Sequence, residues 1–140
     1  DFAEAVMASF SAYWAGRTEV AWPNVAYVPS SDSARESGFV RLVITGTGGE
    51  QVDLGRRRFR RVGLIGIMCC IAEGAGAERL DALARAAVLF LRESLPLPGG
   101  VMLFDQRLVD VGVVDGWAQI NAIANFRYDT EADGVPLSSA

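Results

Sequence analysis

"RRRFRRVGLIGIMCCIA", residues 56–72, runs five arginines in six positions directly into an apolar stretch rich in β-branched residues. Side chains alternate across a strand, so Arg56, Arg58 and Arg60 share a face with Val62, Leu64 and Met68. Arg57, Phe59 and Arg61 share the other with Ile65, Ile67 and Cys69. A stretch apolar on both faces belongs at the centre of a sheet, covered on each side by helix or by another subunit. The arginine half is then expected to project beyond the core. Upstream, "FVRLVITG" at 39–46 is a strand and "TGGEQVDLG" at 47–55 a long polar turn, so the pair is a β-hairpin with a mobile tip.

Working outward, Phe2, Val6, Phe10 and Tyr13 recur at spacings of four, four and three, one stripe of an amphipathic helix over 2–15 that Gly16 ends as a left-handed cap. "TEVAWPNVAYVP" at 18–29 carries Pro23 and Pro29 and is an extended edge segment, followed by a polar loop at 30–38. Residues 76–94 give the clearest helix. Leu80, Leu83, Ala84, Ala87, Phe90 and Leu91 lie on one side, and Glu78, Asp81, Arg85 and Arg92 on the other. Pro96 and Pro98 stop it.

Two more strands, 101–114 and 117–130, meet at Asp115-Gly116, a two-residue hairpin signal. Registered on that turn, Val113 pairs with Ala118, Val111 with Ile120 and Val109 with Ala122, giving one apolar face. The other carries Asp110, Gln119, Asn121 and Asn125 beside Leu108, Ile123 and Trp117. The expected fold is a single α+β domain over 1–130, with a largely antiparallel sheet of about four main strands in two hairpins and two helices packed on it. Residues 131–140 form a flexible tail.

The chemistry expected of this chain is sparse. Its 140 residues are 51% hydrophobic and 21% charged, a globular composition. Histidine is absent, which removes the commonest general base and metal ligand. Cys69 and Cys70 are neighbours on a strand and point apart, so they neither bridge nor clamp one metal. Gly46, Gly48 and Gly49 lack the Gly-Lys-Ser/Thr ending of a phosphate loop. "EGAGAERL" at 73–80 is a strand-to-helix turn, and Asp110 with Asp105 or Asp115 has no partner base. No catalytic residue, cofactor or metal is expected, nor an enzyme. The run 62–71 is too short to span a bilayer, and no basic secretory leader is present; a cytoplasmic protein is expected.

The formal net charge is −4, and the arginine cluster supplies +5, leaving −9 elsewhere. A chain acidic over the rest of its surface repels a phosphate backbone, so general DNA binding is disfavoured. The arginines are instead suited to carboxylates on a neighbouring subunit, where their forks fix register; a solvated strand end with local salt bridges is the other reading.

In order along the chain, "WPNVAYVP" at 22–29, "GFVRLVITG" at 38–46 and "LGRRRFRRVGLIGIMCCIAEGAGAERLDALARAAVLFL" at 54–91 resemble the tail terminator (tail completion) proteins of long-tailed bacteriophages and phage-like gene transfer agents. The likeness rests on Trp22-Pro23-Asn24, Val40-Arg41-Leu42, Leu54-Gly55, Arg61, Gly63 and the segment from Gly74 to Phe90. The resemblance implies a virion protein assembled in the bacterial cytoplasm as a hexameric ring. Such a ring caps the head-proximal end of the tail tube, stops its growth and joins it to the head connector. Its implied partners are its own copies, the tail tube protein and the head-tail connector protein, with DNA passing unbound through the lumen and no membrane. Interface candidates are Arg56, Arg57, Arg58, Arg60 and Arg61 at the strand end, Gly48, Gly49 and Glu50 at the tip, and Trp117 and Asn121 on the mixed face. A head-side connector or neck subunit, and a stand-alone oligomeric module binding a small ligand, are the alternatives.

Overall fold

The computed structural model describes residues 2–23, 25–27, 37–53, 58–94 and 101–130, with backbone alone at 47–53, 58–59, 94 and 130. Helix α1 spans Phe2–Trp14, strand β1 Glu19–Ala21, β2 Phe39–Asp53 and β3 Arg58–Ala72. Helix α2 spans Ala77–Leu89 and widens into a π-helical turn at Phe90–Ser94; β4 (Met102–Val114) and β5 (Trp117–Thr130) follow. The sheet order is β1-β2-β3-β5-β4, with β1 parallel to β2 and every other pair antiparallel. This is the expected α+β class, with the edge segment at 18–29 supplying a fifth, three-residue strand.

β3 is central, as its two apolar faces require, but helices cover only one of them. Ile65, Ile67, Cys69 and Ile71 pack with Val40 and Leu42 of β2, with Ala122, Ala124 and Phe126 of β5, and with the apolar stripes of both helices. In α2 the whole predicted stripe is buried. In α1 the fourth position is Trp14, which continues the four-residue spacing and is fully buried, its Nε1 donating to Thr18 Oγ1 at 2.9 Å. Tyr13, expected in that place, is half-buried and donates its hydroxyl to Ala86 O at 2.9 Å. Ala15 (φ 51°) and Gly16 (φ 72°) then end the helix in the left-handed region.

Two expectations are corrected. The segment 47–53 is not a turn: β2 continues through Asp53, placing Gly49, Glu50, Gln51 and Asp53 opposite Arg61, Arg60, Phe59 and Arg58. An irregularity at Gly46/Gly49 absorbs the glycines that resemble turn residues in the sequence, and a second follows at Gln51/Asp53. Residues 54–57 lie outside the described residues, as do 30–36 of the expected loop and the tail 131–140.

The second correction concerns β4. Val113 does pair with Ala118, but Val111 is an extra residue at a bulge, so Asp110 pairs with Ile120, Val109 with Asn121 and Leu108 with Ala122. Gly112 (φ 87°) makes the bulge possible, and its amide donates to Asp110 Oδ1 at 3.0 Å. One extra residue exchanges the faces, as the period of two demands. Val109 moves to the helix-free side, and Asp110 to the helix side.

Gly63 sits under an aromatic ring. Opposite it stands Phe126, and a Cβ on Gly63 would overlap the Thr45 carbonyl and come within 2.6 Å of that ring. Gly63→Ala is therefore expected to cost about 1–3 kcal/mol by overpacking. Urea denaturation checks this, and an unchanged midpoint would contradict the packing described.

Cys69 faces the helices and Cys70 the opposite side, both buried and unpaired. Burial pushes the Cys69 thiol from 9.0 up to about 12, helped by the neighbouring Cys70, and burial lifts Cys70 to about 11 against the opposing charge of Arg41. Between these values and 9.0 the unfolded chain loses protons that the folded chain keeps. Their contribution to stability is thus complete below about pH 9 and falls as pH rises toward 12. Urea midpoints measured from pH 8 to 11 should drop, and less steeply in a Cys69→Ala/Cys70→Ala variant; parallel pH profiles for both proteins would contradict this.

Candidate assembly surface

The helix-free side of the sheet is built in cross-strand rows. Arg41, Met68, Asn121 and Val109 form one, Thr45, Leu64, Asn125 and Phe104 another, and Val62, Arg127 and Met102 a third. Aliphatic and amide side chains thus alternate over a face on which the helices do not lie. Gln119 Nε2 donates to Asn121 Oδ1 at 2.8 Å, and Arg107 Nη1 donates to Asn125 Oδ1 at 3.0 Å and to Asp105 Oδ2 at 3.1 Å. A depression of about 270 Å³ lies between Val62, Leu64, Phe104 and Asn125.

At one end a small aromatic group covers this face. Phe39 stacks edge-on to Trp117 (5.0 Å, 80°) and lies 5.1 Å from Tyr27, with Cys70 beneath. Tyr27 donates to Glu19 Oε2 at 2.5 Å, and burial with that hydrogen bond raises its pKa strongly. Trp117 is therefore partly consumed in internal packing.

Along the edge the surface is apolar. Of the ten large apolar side chains exposed among the described residues, seven stand on β4: Met102, Phe104, Leu108, Val109, Val111, Val113 and Val114. Val113 is 56% exposed and Met102 47%. Charge is sparse along this edge. Arg107 is tied back to Asp105, whose φ of 56° marks a first bulge. Bulges twist an edge and hinder indiscriminate strand pairing, but they leave these side chains bare.

The arginine cluster divides. Arg60 pairs with Asp129, directly across the ladder, at 3.2 Å, and register sets Glu50 on its other side. Arg61 is exposed, as is Arg127, whose guanidinium lies 6.0 Å from the Phe104 ring centroid. Arg58 lies in β3 with its backbone alone described; Arg56 and Arg57 lie outside the described residues. Gly48, Gly49 and Glu50 belong to β2, next to the arginines. Trp117 and Asn121 are not brought to them. Trp117 pairs with Ala72, Asn121 with Met68 and Asp129 with Arg60, so Trp117 lies about 40 Å of strand from Arg60 and Asn121 about 26 Å. The exposed β4 residues were not singled out from the sequence; Gly112 inside a strand pattern is the signal that marks the bulge exposing them.

Among the described residues, no three His, Cys, Asp or Glu side chains gather to hold a metal, and no helix is long and apolar enough to cross a membrane. No family model matches the chain. No curated protein matches it. The fold is similar to a solved structure of a protein that bears no functional name, with TM-score 0.57 at 15% identity over 89% of this chain and 93% of that one. Such a likeness defines a shared α+β fold, with two helices on one side of a mostly antiparallel sheet.

Proposed function

We propose that this chain is a structural subunit that assembles with copies of itself into a ring, as a tail terminator of a long-tailed bacteriophage or phage-like gene transfer agent does. The observation that carries the proposal is the exposed apolar edge. A thirteen-residue edge strand with seven bare aliphatic or aromatic side chains is a liability for an isolated domain and an interface for an assembled one. The sequence likeness to tail terminators supplies the kind of assembly, and the helix-free face of the inner strands β2, β3 and β5 supplies a second surface for a tube or connector protein to meet.

Size is compatible with this role. A 140-residue domain has a radius of gyration of about 14 Å, so six touching subunits surround a hole on the order of ~37 Å, wide enough for a DNA duplex. Negative charge over most of the chain lets DNA pass without being held. Electron microscopy of the purified protein added to tail tubes tests the proposal: rings at one tube end and halted growth support it. Tubes that lengthen unchecked and carry no added density would overturn it.

A further inference from the structure

We propose that the ring contact is head-to-tail: the arginine-bearing end of β3 of one copy, at Arg61 on the helix side of the sheet, seats against a groove walled in part by the exposed end of β4, at the opposite end of the sheet in the next copy. The proposal rests on the self-assembly reading above and names the two surfaces that meet. The groove, about 430 Å³, lies between the start of α2 and the β4–β5 turn. Its walls are apolar, from Ile71, Leu80, Val113 and Ile120, and its charged lining residues are two carboxylates, Asp81 and Asp110. The bulge at Val111 brings Asp110 there by turning it to the helix side.

Charge complementarity selects the occupant. Glu73, Glu78 and Asp115 are exposed around the same end, while Arg79 is engaged with the Ser37 carbonyl at 3.2 Å. A groove with aliphatic walls and a carboxylate rim fits arginine, whose stem packs on apolar surface while its fork pairs with acid. Arg61 is exposed and makes no ion pair among the described residues.

Geometry fits a ring as well. From Arg61 to Ala72 is roughly 36 Å of extended strand, close to the ~37 Å diameter of a domain of this size. The two surfaces therefore sit about one subunit apart, as consecutive contacts in a ring must. Unlike surfaces meeting in this way give a heterologous interface, which closes into a ring when the rotation allows.

A double variant, Arg61→Cys/Val113→Cys, tests the contact under mild oxidation; both positions are exposed, and the native cysteines are buried out of reach. A ladder of disulfide-linked species extending from dimer to the full ring is expected. A ladder that stops at dimer would overturn the head-to-tail arrangement, as would no cross-link in a protein that light scattering shows to be oligomeric. A monomeric parent chain would overturn the self-assembly reading itself. In a second test Arg61→Glu should weaken association at least about tenfold, and adding Asp81→Arg should restore most of it. Equal weakening by the single and double variants would count against the pairing.

Discussion

A chain carrying Val109→Glu and Val114→Glu is expected to be monomeric at concentrations where the parent chain is fully assembled, with its thermal midpoint within a few degrees of the parent. Both valines lie on the helix-free side of β4, 40% and 46% exposed, so neither contributes much to the core. Substitutions at such positions change folding stability by about 0.5 kcal/mol or less. Burying two carboxylates in an apolar contact without partners, in contrast, costs several kcal/mol for each contact, enough to dissolve an interface of ordinary size. Sedimentation velocity with circular dichroism on the same samples checks both halves. Assembly that survives both substitutions would remove β4 from the interface.

Phe10→Ala should cost about 3–5 kcal/mol of folding stability. The ring is fully buried at the point where both helices and the sheet meet, with Trp14 stacked at 5.1 Å and Phe90 edge-on at 5.1 Å. Its loss leaves a void between α1 and the π-helical turn that neither backbone closes easily. A cost of this size is about a fifth or more of the stability of a typical domain, so a sharp fall in the urea midpoint is expected. A loss below about 1 kcal/mol would mean that α1 is not part of the core.

The core was legible where one periodicity dominates. Leu80 to Leu91 repeat at helical spacing over more than three turns, and every predicted position is buried. Residues 62–71 are apolar on both strand faces, which made β3 central. That the helices cover only one face was not legible, because burial under a helix and burial under another copy require the same residues. Glycine produced the main errors in opposite ways. Gly46, Gly48 and Gly49 signal a turn in sequence but lie within β2, where cross-strand hydrogen bonds to β3 outweigh their conformational freedom. Gly112 resembles an ordinary strand residue but adopts φ 87° and shifts the register by one. That single shift decides which side Asp110 and Val109 occupy, and with them the groove and the apolar edge. Arg58, Arg60 and Arg61 stand at the end of β3, where a strand end is expected, and Arg60 is answered within the chain by Asp129, a partner sixty-nine residues away that only the fold reveals.

Self-assembly through an exposed sheet edge is the central claim, and light scattering coupled to size exclusion tests it most directly. The parent chain should elute as one species of about six times the 15.0 kDa of a single copy, unchanged on moderate dilution. A mass of about one copy at every concentration would contradict the account.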